Sequence, residues 1–341
     1  MAIAPGIHAH QLGERLTQAR TLAPGILISI AVAFAALFVS SNYGGPAMLY
    51  ALLLGMALAS VVENNPASAG IAFSSRTVLR FGVALLGARI TLDHVVTLGV
   101  GPVVMVVAGV ALTIGSGLLL AKLTGLRWDM GVLTGGAVAI CGASAALAIS
   151  SVLPKGEDRE RHTVLTVVGV TTLSTIAMVF YPVISYLLGH DHIQAGIFIG
   201  GTIHDVAQVV GAGYMISDET GEYATFVKLM RVVMLVPVVL TLSLIMRGRA
   251  SSDGAKPTLI PFFLIGFIAL ALASSFGVIP SSVTKFFSEL SSMCLVIAIA
   301  ALGMKTSLAK LAAVGWKPIA MIVGETFFLM LFVIGVIMVF L

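Results

Sequence analysis

Residues 193–215 read "IQAGIFIGGTIHDVAQVVGAGYM". They lie between runs of membrane-grade hydrophobicity, yet Gly200, Gly201, Thr202, His204, Asp205 and Gln208 stand at their centre. A charge at the middle of a bilayer costs at least ~2.5 kcal/mol, so ionisable residues there face a bundle interior or a water-filled cavity. A second stretch has the same character: "DMGVLTGGAVAICGASAALAISSVLP", residues 129–154, places small residues and hydroxyls where a plain spanning helix has Leu, Ile, Val or Phe. Both segments read as interrupted helices.

Hydrophobic residues make up 58% of the 341 and charged residues 10%, against roughly 45–50% and about 25% in soluble chains. Mean hydropathy is +1.08. Apolar runs of about 20 residues match a hydrocarbon layer of about 30 Å, so the expected fold is an all-α polytopic membrane protein. Plain spans are expected near 22–40, 44–62, 72–90, 101–121, 163–188, 222–246, 258–278, 283–304 and 318–341, with the interrupted segments at 129–153 and 193–215. Residues 1–21 read as a cytoplasmic amino-terminal segment, and 22–341 as one transmembrane transporter domain that begins with an uncleaved first span. The net charge of +4 does not point to nucleic acid, because Lys and Arg are scattered singly through short connections. Cys141 and Cys294 lie in apolar segments without metal-ligand spacing and read as small buried hydrophobes. No motif calls for a nucleotide, a metal or any other cofactor.

The connection "PKGEDRER" (154–161) decides topology. If every segment crosses from a cytoplasmic amino terminus, its Lys155, Arg159 and Arg161 fall outside, against the positive-inside tendency. If the two interrupted segments instead enter and leave on one side, Lys122, Arg127, Lys155, Arg159, Arg161, Arg247, Arg249, Lys256, Lys305, Lys310 and Lys317 all lie at cytoplasmic ends. The loops "GHDH" (189–192) and "SDETGE" (217–222), free of Lys and Arg, then lie outside. Nine crossings plus two re-entrant hairpins are therefore expected.

An internal repeat agrees. "MALASVVENNPAS" (56–68) matches "LALASSFGVIPSS" (270–282), and "LGARITLDHVVTLGVGPVVM" (86–105) matches "LGMKTSLAKLAAVGWKPIAM" (302–321) in Leu, Gly, Pro and basic positions, Arg89 pairing with Lys305. A weaker pair relates "GVLTGGAVA" (131–139) to "GIFIGGTIH" (196–204). With hairpins, both pairs become inverted repeats, the organisation of secondary transporters whose interrupted helices meet near the midplane.

A hairpin turn exposes backbone N–H groups at the start of its second arm, where the helix dipole is positive. Gly142 allows close approach and Ser144 is a candidate cap in the first turn. Gly200, Gly201 and Thr202 precede the second, near His204 and Asp205. Two such amino termini make an anion site without a cationic side chain. The bland alternatives are a packed His204 and an Asp205 that only caps its helix. Lys228 and Arg231, three apart on one helical face, read equally as an anion clamp or counter-charge to Asp205 and as partners of a buried ion pair holding helices together. Glu289 and Glu325 are intramembrane carboxylates, and with His204 and Asp205 they are the candidates for carrying a coupling proton.

The blocks "GGAVAICGASAALAISSVLP", "GTIHDVAQVVGAG" and "VKLMRVVMLVPVVL" resemble the YeiH-like bacterial inner-membrane proteins, a family labelled as sulfate exporters, over nearly the whole chain from about residue 25. The resemblance implies a distant kinship with cation/proton antiporters and bile-acid transporters. It carries Cys141, Gly142, Ser144, His204, Asp205, Gln208, Lys228 and Arg231 over as site residues, without a proven ligand. It also offers a rival to the hairpins, interrupted helices that cross fully. The expected function is secondary transport of a small anion, sulfate or a related sulfur oxyanion. A cation/proton antiporter is the alternative: it requires an essential carboxylate and hairpin amino termini that are not close. An intramembrane hydrolase using Ser144 or Cys141 is weaker, because the adjacent His204 and Asp205 diverge by about 100° on a helix. The expected partners are the lipid bilayer, the small anion, a coupling ion and further copies of the chain.

Overall fold

The computed structural model describes residues 6–44, 46–62, 65–89, 99–154, 159–246, 262–305 and 316–340. Lys155, Arg247, Arg249, Lys256 and Lys310, and the repeat stretches 90–98 and 306–315, lie outside the described residues. Within them every regular element is helical. Seven helices are long and apolar enough to cross a membrane: Arg20–Tyr43, Ser68–Arg89, Gly101–Thr124, Arg161–Leu187, Asp218–Ile245, Ser281–Lys305 and Lys317–Phe340. The two further crossings expected from sequence fall on shorter helices, Ala47–Ala57 and Phe262–Ser275.

Several boundaries differ from expectation for local reasons. The first helix runs from Gly6 to Tyr43, so most of the supposed leading segment is already helical. The run expected over 72–90 contains a π-helical turn, Ser74–Val78. The run expected over 222–246 starts earlier, at Asp218, because Ser217 caps it by accepting from Thr220 N–H.

The chain divides into two compact units. The first comprises Met1–Val83 and Glu289–Ser307. Its helices approach through glycine: a Cβ on Gly70 would lie 2.8 Å from Gly25 Cα, and one on Gly55 would lie 3.1 Å from Gly303 Cα. Such approach favours helix association in lipid, where apolar burial gives no preference for protein over tails. Val62, Ala67, Ile71, Ala301 and Met304 fill the interior.

The second unit comprises Ala84–Ser288 and Leu308–Leu341 and contains both interrupted segments. The first splits into Trp128–Ala139 and Ala143–Val152, the second into His192–Thr202 and Val206–Ile216. The breaks have different causes. Gly142 adopts φ 62°, ψ −122°, a conformation that penalises a Cβ. In the second segment the backbone is extended at Ile203 and Asp205, and Asp205 restarts the helix by accepting from Ala207 N–H at 2.7 Å.

Both interrupted segments fold back on themselves. A Cβ on Gly136 would strike the side chain of Ile149, although a straight helix would separate these residues by about 20 Å. Ser217 Oγ lies 3.1 Å from His192 Nδ1, whose straight-helix separation is about 37 Å. Each segment thus folds back as a helical hairpin, the form that the charge pattern favours. The first arms are held by small-residue seams: a Cβ on Gly131 would be 2.5 Å from Gly117 O, and Gly200 abuts the Ala224 carbonyl in the helix Asp218–Val233.

Candidate functional site

The two hairpin turns meet. A Cβ on Gly142 would lie 3.6 Å from His204 Cβ. Lys228 Nζ donates to Ile140 O at 2.7 Å in one turn and to Ile203 O at 2.9 Å in the other. Arg231, one helical turn further along Asp218–Val233, donates from Nε to Ala139 O (2.8 Å) and from Nη2 to Val138 O (2.7 Å). Its Nη1 reaches Gly200 O (3.2 Å) and Ile203 O (3.1 Å). Lys228 is 0% and Arg231 2% exposed.

These bonds answer the question left open for the two cations. Among the described residues neither is half of an ion pair; both cap helix carboxyl ends. The last carbonyls of a helix have no partner within it and carry the negative end of the dipole. Two first arms ending side by side in an apolar interior concentrate that negative potential, and the two cations neutralise it at the point where it arises.

The same geometry refines the reading of three expected residues. Gly200, Gly201 and Thr202 do precede the second arm, but as the last helical turn of the first, so their neighbourhood supplies carbonyls and not N–H groups. Thr202 Oγ1 donates back to Phe198 O at 2.5 Å. Ser144 does not cap the first hairpin's second arm: Gly142 holds that position, no side chain bonds there, and Ser144 is exposed. Cys141 is a buried free thiol beside Gly142.

In the second turn, His204 is 0% exposed. Its Nε2 lies 3.0 Å from Thr326 Oγ1, and its Nδ1 has no hydrogen-bond partner among the described residues. Asp205, half-buried, receives Ala207 N–H on its side chain, while its own N–H donates to Ser174 Oγ at 3.0 Å. Gln208 Nε2 donates to Thr175 Oγ1 at 2.9 Å, leaving its Oε1 unpartnered. The proton candidates divide. Glu325 is 0% exposed, with Oε1 accepting from Thr134 Oγ1 at 2.7 Å and Oε2 unpartnered. Glu289 is exposed on Ser281–Lys305 and belongs to the first unit.

Sequence reasoning missed Thr134, Ser174, Thr175 and Thr326, the hydroxyls that hold the site's polar groups. Threonine in an apolar run is weak evidence, since its hydroxyl can bond back to its own helix, as Thr326 Oγ1 does to Ile322 O at 2.7 Å. The available signal was adjacency: Glu325 and Thr326 interrupt an otherwise apolar run. Arg89, expected to be structural, pairs with Glu222 and reaches Asp218 at 4.0 Å, at the amino end of the helix that bears Lys228 and Arg231.

Comparison with known proteins gives consistent relatives. A UPF0324 membrane protein of Chlorobaculum tepidum is 56% identical over 92% of this chain and 88% of its own length. The UPF0324 membrane protein TauZ of Paracoccus pantotrophus is 55% identical over 91% of this chain and 93% of its own. Among solved structures, the sodium proton antiporter MjNhaP1 from Methanocaldococcus jannaschii aligns with 94% of this chain and 99% of its own at 14% identity, with a TM-score of 0.28; that likeness is too slight to carry weight. Residues 24–322 match the model of the family described as Conserved hypothetical protein 698. The chain is a multi-pass membrane protein of that family, the YeiH-like one that its motifs resemble.

Proposed function

We propose that this protein is a secondary transporter of a small inorganic anion, working by alternating access at the paired hairpin turns. The resemblance to YeiH-like proteins favours sulfate or a related sulfur oxyanion. The reading includes nine crossings, two re-entrant hairpins, inverted repeats and a cytoplasmic amino terminus in a bacterial inner membrane. The observation that carries it is the juxtaposition of the two turns over Lys228 and Arg231. It places the amino end of a second arm, Ala143–Val152, next to the His204 turn in a buried region that holds Lys228 and Arg231, with Asp205 close enough to act on Lys228.

Anions favour helix amino ends, where N–H groups point outward and the dipole is positive. A cation antiporter would be served by the reverse, a site dominated by carboxylates with separated amino ends. The close turns and excess positive charge support the anion reading.

The test is exchange of labelled sulfate or sulfite across sealed proteoliposomes loaded with the same unlabelled anion. Exchange in the wild type that is lost in Gln208→Ala and His204→Ala, with both variants still folded, supports the assignment. Wild-type vesicles that exchange neither anion, yet move sodium against protons, would replace it with the antiporter reading.

A further inference from the structure

The helix Trp316–Phe340 touches both hairpins with consecutive residues. Glu325 receives Thr134 of the first hairpin, and Thr326 meets His204 in the turn of the second. Thr134 lies one helical turn before Val138, whose carbonyl Arg231 caps. One carboxyl therefore sits against the same arm whose end forms part of the candidate site.

Among the described residues no countercharge is paired with it. The helices packed against Trp316–Phe340 are Gly101–Thr124, Trp128–Ala139, Arg159–Leu187 and His192–Thr202. Of the ionisable side chains described on them, Lys122, Asp129, Arg159, Arg161, His162, Tyr186 and His192, none bonds to Glu325, and Tyr181 is stacked on Phe198. The chain comes close instead: a Cβ on Gly117 would lie 2.8 Å from Glu325 Oε1. An ionised carboxylate sealed in such a place, with one oxygen unpartnered, is heavily penalised, whereas the neutral acid is not.

We propose that Glu325 is the coupling-proton site, and that the proton and the anion travel together. The inference rests on the anion-transport reading. Proton uptake converts the Glu325 carboxylate to the neutral acid, which permits the packed arrangement in which Thr326 holds His204. It also removes one negative charge from the core, where Lys228 and Arg231 outweigh Asp205. Anion binding and protonation therefore favour each other, as linkage requires. When the hairpins part and water reaches Glu325, the acid releases its proton to solvent and the anion leaves with it. Among the other candidates, Asp205 is occupied as a helix cap and Glu289 is exposed in the other unit.

The experiment has two readouts on the full chain. Infrared difference spectra between acid and alkaline buffer report the protonated-carboxyl C=O stretch without any transported ion, in wild type, Glu325→Gln and Thr134→Val. Proteoliposomes report sulfate or sulfite uptake with and without an inward proton gradient. The expected result is a wild-type carboxyl band that is missing in E325Q and titrates at a different pH in T134V, together with loss of the gradient-stimulated component of uptake in E325Q. An E325Q band identical to wild type, or full gradient stimulation in E325Q, overturns the assignment to Glu325. A Glu325 band in protein whose wild type exchanges neither anion overturns the co-transport inference through failure of the anion reading, and the vesicle result alone identifies that case. T134V keeps the question answerable if E325Q does not fold, because an unmoved band there places the titrating carboxyl elsewhere.

Discussion

Replacing Arg231 with Met should damage the fold far more than replacing Lys228 with Met, and the carbonyls show by how much. Arg231 serves Val138, Ala139, Gly200 and Ile203, and Lys228 serves Ile140 and Ile203. Ile203 is shared, so it stays satisfied in either single variant. Arg231→Met orphans three carbonyls and Lys228→Met one. With about 1–3 kcal/mol for each buried polar group left without a partner, the losses are about 3–9 and about 1–3 kcal/mol. The first range reaches into the whole stability of an ordinary domain, about 5–15 kcal/mol, so little folded R231M should accumulate. The double variant also strands Ile203, so it should lose about 1–3 kcal/mol more than the two singles together, a positive coupling of the kind seen between residues that share a partner. Arg231→Lys should recover part of the loss, since an ammonium can reach some of the carbonyls but not span them as a planar fork. The assay is the unfolding midpoint in a denaturing detergent series, read by tryptophan fluorescence and size-exclusion profile. Equal losses in R231M and K228M, or strict additivity in the double variant, would refute the carbonyl-capping account.

Gly142→Ala should destabilise through its backbone, because at φ 62° the added Cβ has room but the dihedral is strained; a cost of about 1–3 kcal/mol is expected, and an unchanged unfolding midpoint would contradict it. Asp205→Ala should lose about 0.5–2 kcal/mol by removing the cap on Val206–Ile216, with Asp205→Asn retaining most of it; amide hydrogen exchange at Ala207 is the direct readout, and protection surviving in the alanine variant would count against the cap. His190, in the connection before His192, has its pKa lowered by burial more than the neighbouring Asp191 raises it. The folded state then binds fewer protons than the unfolded one, so its contribution to stability is present above about pH 6.5 and is lost as pH falls through the lowered folded value. The thermal midpoint of wild type should fall more steeply below that pH than that of His190→Gln, and parallel curves would remove the claim.

What the sequence made legible was whatever leaves a mark on spacing or composition. The two interrupted segments stood out because Gly142 and the Gly200–Asp205 stretch replace large aliphatics where a span would have them. The hairpin form followed from one charged connection, and Ser217 against His192 bears out the fold-back. The destinations of donors were not legible. Lys228 and Arg231 were visible as a pair on one face, but no pattern says that their partners are backbone carbonyls, since a carbonyl is present at every residue. The Gly-Gly-Thr stretch was read as part of the turn before the second arm, whereas it is the last helical turn of the first, for a related reason: glycine marks both the close of an arm and the turn after it, and only the cap at Asp205 tells which. Thr134 was not legible, and Thr326 only through its place beside Glu325, because a threonine that bonds to its own helix and one that reaches another helix look alike in sequence.

The carbonyl caps also change what the two cations can do for a ligand. Four of Arg231's five N–H donors and two of Lys228's three are bonded to scaffold carbonyls, so at most one donor on each is left for an incoming anion and a bidentate clamp from either side chain is not available in this conformation. What remains is chiefly their charge. With the negative ends of both first arms neutralised, the positive dipole ends of the second arms are left uncompensated except at Asp205, which covers one of them. The first hairpin's Ala143–Val152 then has the one amino end in this pair without a side-chain cap. An anion entering the region should therefore be held by backbone N–H groups near Gly142 and by long-range charge, a mode that recognises size and charge better than identity. Discrimination among oxyanions would have to come from how closely the Gly142 turn and His204 can be approached, so substitutions that change the volume of that gap should alter selectivity between anions of different size more than substitutions that alter charge.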